Sequence, residues 1–155
     1  MSSLQQDLEV LRRVPLFDSV ETANLRLLAF TSKRLMFEDR QVLFHQGEDG
    51  DAAYVVINGT AEVVLIAGDQ EIVLAELGRH EIVGEIAILC DLPRTATVRA
   101  RGALDALMIS KPQLLDMLRH APDMAVAIIR VLALRLNRAN RELASTREAL
   151  KRAGG

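Results

Sequence analysis

Val83-Gly84-Glu85-Ile86-Ala87-Ile88-Leu89-Cys90-Asp91-Leu92-Pro93-Arg94-Thr95-Ala96-Thr97-Val98 is the stretch on which the reading of this chain turns. It interrupts a series of short apolar runs with a glycine, a single apolar helical turn, a proline-limited loop and an arginine opening the next run. Gly84 lets a ligand approach the backbone closely. A helix beginning at Glu85 presents free N–H groups, notably those of Ile86 and Ala87, to whatever lies before it, and such groups attract anions. Arg94 can return to the same point with a planar, permanently charged fork suited to phosphate oxygens. Glu85 cannot join it as a phosphate ligand, because two anions repel. Its carboxylate can instead accept a hydrogen bond from a hydroxyl, such as that of a ribose. These residues therefore describe a site for a phosphate and a sugar hydroxyl held side by side.

The flanking sequence supplies the scaffold. Short runs rich in Val, Ile and Leu cover 34–37, 41–45, 53–57, 61–66, 71–75, 96–100 and 103–109. Turn residues separate them: Gly47-Glu48-Asp49-Gly50-Asp51, the hairpin signal Asn58-Gly59, Gly68-Asp69 and Leu77-Gly78. The pattern predicts an α+β domain built on an eight-stranded, jelly-roll-like β-roll over 34–110, with the phosphate cassette at 83–98. Leu4, Leu8 and Leu11 mark a first helix in the segment 1–33, and Asp18 with Glu21 have the spacing of a capping box for a second. Ser110 with Gln113 predicts a capped helix after the roll. A long helix should then run from about Asp123 to about Lys151. Along it Ala125, Ile129, Leu132, Leu136, Ala139, Leu143, Thr146 and Leu150 form a heptad seam, fit either to pack on the domain or to pair with a second copy. Parallel pairing over 123–151 is the expectation, because the seam outruns what a small barrel can cover.

The cassette and its surroundings resemble the cyclic-nucleotide-binding domains, a family that includes the catabolite activator protein, regulatory subunits of cyclic-AMP-dependent protein kinase and cyclic-nucleotide-gated channels. The resemblance spans about Leu11 to Leu143. Gly84-Glu85-Ile86-Ala87 and Arg94-Thr95-Ala96 carry it, with support from Pro15-Leu16-Phe17, Gly47, Gly50, Tyr54 and Asn58-Gly59. It implies a cAMP ligand, with cGMP as a second, bound without cofactor, metal or catalysis. By resemblance Arg94 pairs with the cyclic phosphate, Glu85 and Gly84 take the ribose, and the amides of Ile86 and Ala87, with Thr95, complete the phosphate contacts. In some members the final helix caps the base, which points to Arg135, Ala139 and Asn140. Three departures stand out: Asp39-Arg40 replaces a glycine turn, His80 a second common glycine, and Val83 a common Phe.

Composition narrows the alternatives. Half of the 155 residues are hydrophobic, enough for one core without disulfide or metal support. Cys90 is the sole cysteine, which suggests a reducing compartment, and it is expected to pack as a small apolar residue. The polar start is no signal peptide and no apolar run reaches membrane-spanning length, so a cytoplasmic location is expected. Residues 1–122 carry 12 basic and 18 acidic side chains, and residues 123–155 carry 7 and 3. An acidic body disfavours nucleic acid, and mixed charges on the last helix suit a solvated face. No helix-turn-helix segment follows Lys151, so an effector protein, rather than DNA, is the expected partner. A cupin-like metal enzyme would need clustered histidines, yet His45, His80 and His120 lack ligand spacing. A non-binding dimerisation module of the same fold is the remaining alternative.

Overall fold

The computed structural model describes residues 3–154. Its elements are α1 (Ser3–Arg12), a 3-10 turn (Pro15–Phe17), α2 (Thr22–Thr31), β1 (Lys33–Phe37), β2 (Val42–Phe44), β3 (Ala52–Ala67), β4 (Gln70–Leu77), β5 (Ile82–Val83), α3 (Glu85–Cys90), β6 (Thr97–Ser110), α4 (Lys111–His120) and α5 (Pro122–Gly154). The strands form one antiparallel sheet in the order β1-β6-β3-β4, with β2 added to β6 and β5 to β3.

Among the described residues there are six strands, not eight. The runs 53–57 and 61–66 are one continuous strand, β3, and the runs 96–100 and 103–109 merge into β6. The Asn58-Gly59 pair explains the misreading. A two-residue type I′ hairpin needs positive φ at both central residues. Here Gly59 has φ 96° while Asn58 is not among the positive-φ residues, so the chain bends without reversing. The β3–β6 register shifts on both sides of Asn58, and Gly102 (φ 75°) sits opposite in β6. A Cβ at Gly59 would run into the carbonyl of Ala103, so the bend requires glycine. The two long strands thus curl together and close the roll.

That curl explains why 52–57 is buried throughout. Ala53, Val55 and Ile57 face a core shared with Leu107, Ile109 and the helices, including Leu11, Phe17, Leu25, Leu114, Met124 and Ile128. Ala52, Tyr54 and Val56 face the other way, into the roll, with Val98, Ala100, Leu104 and Ala106. Period-two alternation then separates two cores rather than core from solvent.

The helical ends differ from expectation in one place. Ser110 and Gln113 form the reciprocal capping box on α4. Asp18 and Glu21 do not form one. Asp18 closes the 3-10 turn through its N–H to the Pro15 carbonyl, and α2 begins at Thr22 with no side-chain cap. Arg12 holds that link instead, donating to the Val20 carbonyl (3.0 Å) and to Thr22 Oγ1.

Helix α5 leaves the domain partway along its length. Met124 and Ile128 are buried, Val131 and Leu132 are partly covered, and every residue from 133 on is exposed. The face turned to the domain is therefore one residue out of phase with the heptad seam. Ile129, Leu136, Leu143 and Leu150 on the seam are uncovered. No helix among the described residues is long and apolar enough to cross a membrane.

Candidate functional site

Strand β5 decides where the cassette sits. Val83 pairs with Tyr54 and Ile82 with Val55, so Gly84 lies beside the start of β3. Gly84 adopts φ 91° and ψ 0°, the left-handed conformation that reverses the chain into α3. A Cβ there would lie 2.6 Å from Arg94 Nη1, 3.1 Å from the Ala52 carbonyl and 3.3 Å from Phe44 Cε2. Backbone conformation and the approach of Arg94 therefore both demand glycine.

The loop 46–50 clamps the other end. Gln46 N–H donates to Thr97 Oγ1 (2.9 Å), Gly47 N–H to the Arg94 carbonyl (2.8 Å) and Arg94 N–H to the Glu48 carbonyl (2.7 Å). A Cβ at Gly50 would lie 2.5 Å from that of Ala87, so this loop also rests on α3. These bonds fix the backbone of Arg94 independently of its side chain.

That side chain is almost wholly buried, at 1% exposure. Its Nη1 donates to the Gly84 carbonyl (3.0 Å) and its Nη2 to the Ala52 carbonyl (2.5 Å). Asp51 offers a carboxylate oxygen at 3.4 Å from a side chain that is 87% exposed, a weak counterion. The guanidinium carbon lies 3.8 Å from the centre of the Phe44 ring, which itself packs on Tyr54. Arg94 Nε is buried with no hydrogen-bond partner. Burial pulls the Arg94 pKa down while Asp51 and Tyr54 push it up, and a guanidinium stays charged throughout. The site thus holds a buried cation that lacks a matched anion.

Glu85 lies across the cavity and is also buried. Its Oε1 accepts from Arg135 Nη1 on α5 at 3.1 Å. Burial raises its pKa above the ordinary glutamate value. A hydrogen bond from the backbone, then Arg135, then Arg94 pull the other way without overcoming burial. Between Arg94 and Glu85 lies a cavity of about 210 Å³, lined also by Phe44, Val63, Leu77, Val83, Gly84, Ile86, Ala87, Thr95, Ala96 and Arg135. One side is apolar and the other offers first-turn amides, which have no intrahelical acceptor. With only six residues, α3 contributes through those amides more than through any helix dipole.

A profile of the cyclic nucleotide-binding domain family matches residues 34–121. The chain belongs to that family. Its cyclic-nucleotide-binding domain is similar to the CRP-like cAMP-activated global transcriptional regulator of Mycobacterium tuberculosis, at 29% identity over 137 residues, covering 88% of this chain and 61% of the relative. The chain thus spans less than two thirds of that relative's length. The crystal structure of the N-terminal domain of a transcriptional regulator from Streptomyces coelicolor A3(2) matches with 34% identity and TM-score 0.69, covering 85% of this chain and 95% of that one. Thermus thermophilus catabolite activator protein matches with 30% identity and TM-score 0.75, covering 84% and 62%. The regulatory domain of Toxoplasma gondii PKA with cAMP, at 20% identity and TM-score 0.72 over 88% of this chain and half of that one, shares the fold. This is a cyclic-nucleotide-binding regulatory domain.

The structure brings Gly84, Glu85, Ile86, Ala87, Arg94, Thr95, Ala96 and Arg135 around one cavity. Asn140 and Ala139 are exposed on α5 and do not line it. Phe44 is the participant that sequence reasoning missed, since an aromatic in an apolar run carries no sign of the cation above it. Cys90 is exposed rather than packed, because α3 ends there and Asp91 turns the chain away at φ 51°. The three departures fall at informative places. Arg40 and His80 adopt φ 69° and 70°, so the turns keep the glycine conformation without the glycine, and Val83 lines the cavity.

The sign of the Glu85 shift sets a pH dependence. Above its raised pKa the buried carboxylate costs stability, and that cost is relieved as pH falls through it. In ligand-free protein the Glu85 carboxyl should titrate above an ordinary glutamate when followed by carbon NMR. Arg135→Ala should raise it further. A titration at the ordinary position, unmoved by Arg135→Ala, would show that the carboxylate is solvated and the Arg135 contact absent.

Proposed function

We propose that this domain binds cAMP, with cGMP as a weaker ligand, and reports occupancy through α5 without chemistry on the nucleotide. The observation that carries the reading is the buried Arg94 cation with an unfilled Nε, facing a cavity that also holds a buried carboxylate. An exocyclic phosphate oxygen would supply the missing anion and accept from the free donor, and the Ile86 and Ala87 amides would share the remaining charge. The ribose 2′-hydroxyl would donate to Glu85. Thr95, exposed at the mouth, would reach the phosphate, and Phe44, Val63, Leu77 and Val98 would supply apolar surface. The relatives are regulators, and among the described residues no three His, Cys, Asp or Glu side chains gather in a way that could hold a metal, which leaves the cupin-like enzyme without support.

The cavity of about 210 Å³ is smaller than the ~300–1,000 Å³ of ordinary small-molecule sites. Arg135 lines it and holds Glu85. A nucleotide that claims Glu85 would displace Arg135, and α5 would re-seat over the base, bringing the turn of Ala139 and Asn140 to the mouth. The uncovered seam of α5 would pair with a second copy through 123–151, so that re-seating changes the geometry of a homodimer or of the effector docked on it. Such a domain can signal only by adopting two shapes that differ in ligand affinity.

Calorimetry with cAMP and cGMP tests the site. Arg94→Ala should lower cAMP affinity about thirtyfold or more, since removing one partner of a buried charge pair costs ~2–5 kcal/mol. Circular dichroism should show the fold retained. Binding within about threefold of the unaltered protein, a difference under 1 kcal/mol, would place the phosphate elsewhere.

Ending the chain after Leu132 tests the switch, because this removes Arg135 and Asn140 but keeps Met124 and Ile128 in the core. Nucleotide binding should weaken and the dimer should dissociate. A monomer with unchanged affinity would reduce α5 to a dimer clamp.

A further inference from the structure

A second cavity, remote from the cassette, lies between α1 and the turn joining β4 to β5. It measures about 410 Å³, within the range of small-ligand sites, and Ile57 lies in its wall. Gln5, Gln6, Glu9 and Arg13 line it from α1, and Arg79 and His80 from the turn. Neither Arg94 nor any other cassette residue contributes.

The charges here are poorly matched. Arg13 has Glu9 at 3.8 Å, both side chains being more than 60% exposed, a pairing of little strength. Arg79 is pinned by Nε to the Ile57 carbonyl (3.2 Å) and by Nη2 to Asn58 Oδ1 (3.0 Å), neutral acceptors that leave its charge uncompensated. Glu81, the other nearby carboxylate, is engaged with the Gly78 N–H at 2.8 Å. His80 lines the same cavity from a left-handed backbone, φ 70°, a conformation that glycine would adopt freely. Its pKa is lowered first by burial, then by Arg13, then by Arg79, so all three groups share one field.

We infer that Arg13, Arg79 and His80 form a second anion site, which takes the phosphoryl dianion of a small phosphate ester. The two arginine side chains and the His80 imidazole line one cavity, with Gln5 and Gln6 in its wall, and the neutral acceptors on Arg79 leave its charge for a ligand. Three acceptor oxygens and a double charge match that set better than a carboxylate does. A cyclic nucleotide, a singly charged phosphodiester, is the poorer fit, so this site and the cassette answer to different ligands. A bound dianion would offset the repulsion of Arg13 and Arg79 on His80 and favour its protonated form. Binding would then take up a proton on His80 while the ester remains a dianion, a gain that the ester's own second protonation, at pH ~6, cuts off and that Glu9 opposes.

The test follows the ring C–H signals of the three histidines in the full chain during pH titrations, with and without inorganic phosphate or glycerol 2-phosphate. At constant ionic strength, phosphate should raise the His80 pKa by about half a unit or more, while His45 and His120 serve as references. Arg13→Ala, which leaves the Arg79 contacts to the turn untouched, should weaken the response, and Arg13→Ala with Arg79→Ala should abolish it. The response should persist in Arg94→Ala. A His80 titration indifferent to both phosphates would overturn the inference. So would an equal response to acetate, or a response lost in Arg94→Ala.

Discussion

Taking a guanidinium out of water is costly unless a close, desolvated anion and a full set of acceptors go with it, and Arg94 has only the exposed Asp51 at 3.4 Å and an incomplete set of acceptors. Two backbone carbonyls, an aromatic face and the edge of an exposed Asp51 hold it, and its Nε has no partner. Much of the architecture serves to keep it there. The loop 46–50 fixes its backbone, Gly84 vacates the space its Nη1 occupies, and β5 brings the two carbonyls together. A stability-optimised core would replace such a charge with apolar volume. The phosphate site proposed above would account for its being kept.

The same economy of backbone appears in the roll. Glycine is indispensable at Gly59 and Gly84, where neighbouring atoms exclude a Cβ and φ is positive. At Arg40 and His80 the same left-handed geometry is met by other residues. The distinction is physical: space around a turn permits a side chain at modest strain, whereas a carbonyl or guanidinium against the Cβ position does not.

What could be read from the residues follows from how local the governing physics is. Gly84, Glu85 and Arg94 could be grouped from the sequence because their chemical types suit a phosphate beside a sugar hydroxyl, and the structure places all three on one cavity. The Ser110–Gln113 box was legible because capping spans only three residues. The strand count was not, since Asn58-Gly59 serves a hairpin or a bend equally well and only pairing with β6 decides. Strand β5, two residues long, has no periodicity to detect. Phe44 reaches the site through β2, fifty residues of chain from the Arg94 it covers, whereas Arg135, equally far from Glu85, was indicated only by the family resemblance and not by any local pattern. Asn140, expected beside Arg135, lies five residues further along a helix that has by then left the domain.

Arg94 and Glu85 together make the ligand-free domain an unfinished ion pair network, with Arg135 as a provisional partner for one half of it. The Arg94 Nε–H resonance, assigned by its loss in Arg94→Lys, reports on the other half directly. On addition of cAMP it should shift strongly downfield and become protected from solvent exchange, as a donor without an acceptor gains a charged one. A resonance that stays in place while calorimetry shows nucleotide bound would contradict the account at its centre.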